Sequence, residues 1–309
     1  MIATSRRRKW SHKSVRALIR AAGGGDPEAI IRQKARDLVA WAKQHGWTGP
    51  PYEPLVLASL RGIKTKATAQ LFSAEAQLTP VRGRQLILEF NPDRSAGRKN
   101  FSICHEIAHT LFDDCFEMVR QRRAEPDRYG PESEVEQLCQ IAAAEILMPE
   151  EDFGRDLKRG VFSMHMVRPL MDRYAASREA ILRRMVAFSN RPSAVVFLSK
   201  RLCPSEKRRS RQRPVSGDES DAPVPKMRIL YAVTTTDFPV FLPPHKSVPD
   251  TSCVCQASGV DRVSESVERW DLPGFGAWHV QATVLPVPFE ADDDTPSVAA
   301  LVLPNRSRH

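Results

Sequence analysis

The residues of this sequence best suited to chemistry are two histidines four apart, in the run His105-Glu106-Ile107-Ala108-His109. On an α-helix positions four apart share a face, so His105 and His109 can offer two imidazole nitrogens to one metal ion. Glu106 lies one step round the same helix. There its carboxylate can take a proton from a water that the ion activates, without ligating the ion itself. Ile103, Ala108, Leu111 and Phe112 supply an apolar side that would bury such a helix in a core. The chemistry implied is metal-assisted hydrolysis.

Two imidazoles do not complete a catalytic zinc site, which takes three protein ligands. An extended histidine motif would need glycine at position 112 and histidine at 115, where this chain has Phe112 and Cys115. Cys115 is therefore one alternative for the third ligand, and a glutamate on a separate helix is the other. Glu132, Glu134, Glu136 and Glu145 all precede or occupy a strongly helical segment. Spacing does not choose among them.

The run Glu136-Gln-Leu-Cys-Gln-Ile-Ala-Ala-Ala-Glu145-Ile-Leu-Met-Pro149 resembles the E-x-x-A/C-N-x-F-A-A-E-L-L-M-P segment of ImmA/IrrE-type metallo-endopeptidases. Those proteins carry H-E-x-x-H on an earlier helix, after an aromatic-S/T-x-x stretch like residues 101–104 here. The resemblance covers roughly residues 26–190. It implies an α+β fold, with a mainly helical, gluzincin-like metallopeptidase core and a small antiparallel sheet. It further implies one Zn2+ per chain held by His105, His109 and Glu136, with Glu106 as the catalytic base. The expected substrate is a helix-turn-helix transcriptional repressor or an antitoxin-like partner. Gln140 stands where the family has Asn or Asp, a change that bears on contacts behind the ligands, and Ala142 replaces Phe, a packing change.

The elements that must position these residues can be read from pattern. Asp26-Pro27 starts a helix whose apolar residues Ile31, Ala35, Leu38, Val39 and Ala42 fall at helical spacing, with Gly46 at its end. A short helix over residues 53–60 follows. Ala76–Val81 and residues 84–90 read as an antiparallel hairpin with Gly83 in its turn. The second of these strands leads into the histidine helix, and it is the one expected to offer its edge to an extended substrate. Residues 126–131 read as a loop and 132–148 as a helix, with Pro149 opening a further helical piece, Glu150–Lys158. Residues 164–174 and 178–188 form a helix pair, read as packing helices in preference to a DNA-reading helix-turn-helix. Residues 193–199 are strand-like. For a donor to the reaction's oxyanion the candidates are His165 and Tyr174, though a hydrogen-bonded core role is expected for both. Cys104 and Cys139 read as small buried apolar residues, and Cys253-Val-Cys255 is too sparse for a second metal site.

Of the net charge of +9, residues 1–25 carry +7 through Arg6, Arg7, Arg8, Lys9, Lys13, Arg16 and Arg20. The basic balance therefore describes a terminal arm more than a nucleic-acid-binding body. The expected layout is a flexible basic arm over 1–25, a metallopeptidase domain over 26–200 and a charged linker over 201–226. A small β-rich unit over 227–309 completes it. The arm could make weak nucleic-acid contact. No apolar run is long enough to span a bilayer, and six cysteines without scaffold spacing point to a cytoplasmic protein with reduced thiols. The competing function is a zinc-stabilised, non-catalytic regulator that binds a repressor or DNA. Glu106 favours the enzyme, since a structural site has no use for a base.

Overall fold

The computed structural model describes residues 10–69, 71, 75–81, 85–124, 133–212, 223–286 and 295–305, the side chains of 121–124 and 211–212 excepted. The expected residues Gly83 and Glu132, the 126–131 loop and the start of the basic arm fall outside these. The chain divides into two compact units, Met1–Asp156 with Leu170–Ser177, and Leu157–Pro169 with Arg178–His309. The fold is α+β, as expected, with helices and a three-stranded sheet in the first unit and a five-stranded sheet in the second. Among the described residues no helix is long and apolar enough to cross a membrane.

In the first unit, helix α1 (Lys13–Ala21) occupies part of the expected arm. It buries Ser14, Val15 and Leu18, packs on α2 (Pro27–Gln44) and leaves Lys13, Arg16 and Arg20 exposed. Helix α1 thus falls within the segment read as an arm. Val15 and Leu18, three apart, give the segment a buried face that its cations disguise. Gly23, Gly24 and Gly25 all have positive φ, a conformation open to glycine, and turn the chain from α1 into α2. The Asp26 side chain then accepts the Glu28 N–H, and α2 buries the predicted Ile31, Ala35, Leu38, Val39 and Ala42.

After α3 (Pro54–Leu60) come strands β1 (Lys64–Ala67), β2 (Ala76–Val81) and β3 (Gln85–Phe90). The order is β1-β3-β2. β2 and β3 form the expected antiparallel pair, from Ala76↔Phe90 to Val81↔Gln85, while β1 runs parallel to β3. The strand expected to offer its edge, β3, is thus central and paired on both sides. β2 is an edge strand, as is β1, and Pro80 of β2, with no N–H to give, suits that place.

Helix α4 (Ala96–His109) contacts β2, β3 and α3, and packs most extensively on α6 (Glu134–Leu147). Helix α5 (Cys115–Ala124) lies between them in sequence, and α7 (Glu150–Lys158) follows α6 where the sequence placed it. The approach of the 175–177 segment to α4 depends on Gly97. A Cβ there would sit 2.6 Å from Ser177 N and 2.7 Å from the Ala176 carbonyl carbon. Elsewhere in the unit, Asp152 of α7 accepts hydrogen bonds from Tyr52 Oη at 2.5 Å and Lys43 Nζ at 2.7 Å.

The second unit holds the five-stranded sheet. The order is β5-β4-β8-β7-β6, with β4 (Ala194–Arg201), β5 (Lys226–Thr234), β6 (Ser264–Glu268), β7 (Trp278–Val284) and β8 (Val298–Pro304). All of its pairings are antiparallel. The strand expected within the 26–200 domain, β4, sits inside this sheet, so the expected boundary at residue 200 does not match the compact units. Helices α8 (Val167–Tyr174) and α9 (Arg178–Ala187) fall where the sequence placed helices, and α9 packs on β4 and β5. Part of the expected linker is also structured. Helix α10 (Pro204–Gln212) carries Glu206, which pairs with Arg228 of β5 at 2.8 Å. Residues 213–222 of that linker lie outside the described set. A short helix, α11 (Cys253–Gln256), packs on β7 with a core of Trp270, Phe275 and Trp278.

Two stability outcomes follow from the first unit. Gly97→Ala should cost about 1–3 kcal/mol, because backbone of the 175–177 segment must move to admit a methyl group; urea unfolding of the metal-free chain measures it. Burial alone would raise the Asp152 carboxyl, but the hydrogen bonds from Lys43 and Tyr52 outweigh it and hold the group below its ordinary 3.8. The stability it contributes is therefore present above that ordinary value and lost as pH falls through the lower, folded-state value. Asp152→Asn should cost about 1–2 kcal/mol at neutral pH, and the gap from the parent should close in acid, as unfolding curves at both conditions would record.

Candidate metal centre

Helix α4 delivers His105 and His109 one turn apart on a single face, with ring centroids 5.1 Å from each other. His109 and Glu106 are buried, each with 2% relative exposure. The potential ligand atoms of His105, Glu106 and His109 lie within 4.8 Å of one another.

A further carboxylate approaches the pair from α6. Ser133 is its N-cap and its hydroxyl accepts the Glu136 N–H at 3.4 Å, which sets Glu136 in the helix's first turn. From there the side chain reaches both histidines. His105 Nε2 is 2.7 Å from Glu136 Oε2, and His109 Nε2 is 3.6 Å from Oε1. A buried carboxylate would ordinarily have a raised pKa. The hydrogen bond from His105, with the His109 imidazole close by, reverses that and holds Glu136 well below the usual 4.5. The positive end of the α6 dipole acts in the same direction.

The other candidate glutamates have different partners. Glu134 accepts from Ser11 N, Ser11 Oγ and His12 N at 2.8–2.9 Å, fastening the N-terminal segment to α6. Glu145 accepts the Glu150 N–H at 2.9 Å, holding the start of α7, with Arg36 at 3.7 Å. Cys115 opens α5, where burial, with a smaller contribution from the Glu106 charge, pushes its thiol up to about 12. Glu132 lies outside the described residues.

Glu106 faces a different neighbour. Its Oε2 accepts the backbone N–H of Leu78 on edge strand β2 at 2.8 Å. This contact fixes the carboxylate beside the histidines instead of among the groups that close on Glu136. Nothing in the sequence pointed to it, because it depends on which strand forms the sheet edge. Of the two oxyanion-donor candidates, Tyr174 is buried with its hydroxyl on Asp156 at 2.8 Å, while His165 is exposed in a 3₁₀ turn of the second unit. Gln140, the family departure, is exposed, and Ala142 is fully buried. Cys104 is a fully buried thiol pushed upward by desolvation, as expected of a small core residue. Cys139 differs, with its Sγ 3.4 Å from His109 Nδ1. Cys253 and Cys255 turn to separate carbonyls, those of Val280 and Pro249, and all six cysteines are free.

Two imidazoles and one carboxylate brought to a common point form a donor set that suits zinc. A family match falls on the segment that carries all three. Residues 65–186 match the IrrE N-terminal-like domain, a peptidase family. The resemblance read from H-E-x-x-H and the downstream glutamate helix holds over that segment, which spans His105, Glu106, His109 and Glu136. No curated protein matches the chain. In fold it is similar to a Mycobacterium tuberculosis transcriptional regulator, with a TM-score of 0.57 at 14% identity over 94% of this chain and 80% of that one. At that identity the likeness speaks for the fold.

Metal analysis of purified variants tests the donor set. The parent should bind near one zinc per chain, and His105→Ala, His109→Ala and Glu136→Ala should each lose it, while Glu134→Ala and Cys115→Ala should retain it. Zinc retained in Glu136→Ala but lost from either of the last two would assign the third ligand elsewhere.

Proposed function

We propose that this chain is a zinc-dependent endopeptidase that hydrolyses peptide bonds in a specific intracellular protein, a helix-turn-helix transcriptional repressor or an antitoxin-like partner. The observation that carries the reading is the division of labour among carboxylates. Glu136 meets both imidazoles, whereas Glu106 is buried beside them and oriented by the Leu78 amide. A site built only for stability has no use for the second arrangement. The IrrE N-terminal-like match supports the reaction class, and the likeness in fold to a transcriptional regulator is in keeping with a target in gene control.

His105, His109 and Glu136 hold the ion, which when bound supplies Lewis acidity to activate water and polarise the scissile carbonyl. Glu106 takes the proton of the attacking water on its carboxylate and passes it to the departing amine. Leu78 N–H restricts the rotation of that carboxylate, so its basic oxygen lies ready before substrate arrives. The substrate adds as an extended strand to the free edge of β2. On that edge the Leu78 amide is engaged by Glu106 and Pro80 has no N–H. Recognition there relies on β2 carbonyls accepting from substrate amides, with side chains supplying selectivity.

Glu106→Gln preserves shape while removing the base. It should fold and bind zinc like the parent, yet cleave about 10²–10⁴-fold more slowly. The assay co-expresses each form with candidate helix-turn-helix repressors from the same genome and identifies fragments by mass spectrometry, with and without chelator. Equal relief of repression by both forms, without fragments, would establish the non-catalytic regulator instead.

A further inference from the structure

We propose that Cys139 is a positioning residue for His109, fixing the ring through its second nitrogen while Glu136 addresses the first. The inference rests on the metallopeptidase reading and concerns how this chain in particular holds one of its ligands.

Residues three apart on a helix share a face, so Glu136 and Cys139 project from α6 toward the same region of α4. Both reach His109, from opposite sides of its ring. Glu136 Oε1 lies 3.6 Å from Nε2, and Cys139 Sγ lies 3.4 Å from Nδ1. Cys139 is fully buried and His109 nearly so, in surroundings where water is scarce. A histidine that ligates through Nε2 as a neutral imidazole carries its proton on Nδ1, and that N–H needs an acceptor. In metal sites the acceptor is commonly a carboxylate or a carbonyl, and it sets both the tautomer and the plane of the ring. Here α6 supplies sulfur. The Nδ1–H donates to Cys139 Sγ, keeping the Nε2 lone pair aimed at the point shared with His105 and Glu136.

The position Gln140, where the resembled family has Asn or Asp, is exposed and points away from such a role. The buried thiol one residue earlier makes the contact instead. Sulfur is a weak acceptor, so it orients the ring while adding less basicity than a carboxylate would. His109 is thereby held in the ligating tautomer without a further buried charge beside Glu106 and Glu136.

The test compares the parent, Cys139→Ala and Cys139→Ser as full-length chains. Zinc affinity is measured by competition with a chromogenic chelator, and the His109 tautomer by long-range 15N–1H spectra of the imidazoles. Cys139→Ala should bind zinc about 10–100-fold more weakly and lose the Nδ1-protonated signature of His109. Cys139→Ser, whose hydroxyl also accepts, should restore both to near the parent. Zinc bound as tightly by Cys139→Ala as by the parent, with the His109 signature intact, would overturn the proposal alone. If Cys139→Ala fails to fold, Cys139→Ser decides: parent-like affinity and tautomer support the role, and loss of either refutes it. A parent that takes up no zinc would overturn the metallopeptidase reading and this proposal with it.

Discussion

A metal centre assembled from two helices tolerates little freedom in the distance between them, of the order of half an ångström. Here that distance is expressed in the reach of Glu136 on α6 to His105 and His109 on α4, at 2.7 and 3.6 Å. Much of the first unit serves to hold it. Gly97 lets the 175–177 segment close against α4, Ser133 caps α6, and Glu134 ties the same end of α6 to Ser11 and His12. At the other end Glu145 joins α6 to α7. The result is one helix with polar anchors at both ends and Glu136 turned toward the two histidines.

The same arrangement resolves an electrostatic conflict. Burying Glu136 alone would favour its neutral form. Set beside the histidines near the N-terminus of α6, the carboxylate is stabilised as an anion. The site is therefore organised around a negative group before any ion is considered. Glu106, one residue from His105, is kept apart by its bond to Leu78, which brings the edge of the small sheet into the centre's geometry.

What was legible in the sequence was what depends on local spacing. His105, Glu106 and His109 form a pattern within one helical turn, and the buried faces of α2 and α6 follow the same period. The choice of Glu136 over Glu134 or Glu145 was not available from spacing, because it depends on which way α6 faces across a tertiary contact; a family resemblance supplied it. Helices α1 and α10 were concealed by their cations, which give both segments a polar composition. Strand order was equally hidden. A hairpin can be read from β2 and β3, but the parallel addition of β1, which turns β3 from an edge into a centre, joins segments separated by a further strand. Cys139 looked apolar because its type and burial are those of a core residue, and only the angle between helices reveals the imidazole beside it.

The two glutamates nine residues apart on α6 carry a lesson for genetics. Glu136 turns its carboxylate to the histidines, while Glu145 spends its own on the first amide of α7. A selection scored only on loss of phenotype would return both positions as equally intolerant, and the motif they share invites the conclusion that both are chemical. One would have failed in function with its architecture intact, the other by loosening the seam between consecutive helices. Intolerance to substitution in this segment thus mixes two kinds of necessity, and separating them requires asking whether each defective protein still accumulates in the cell.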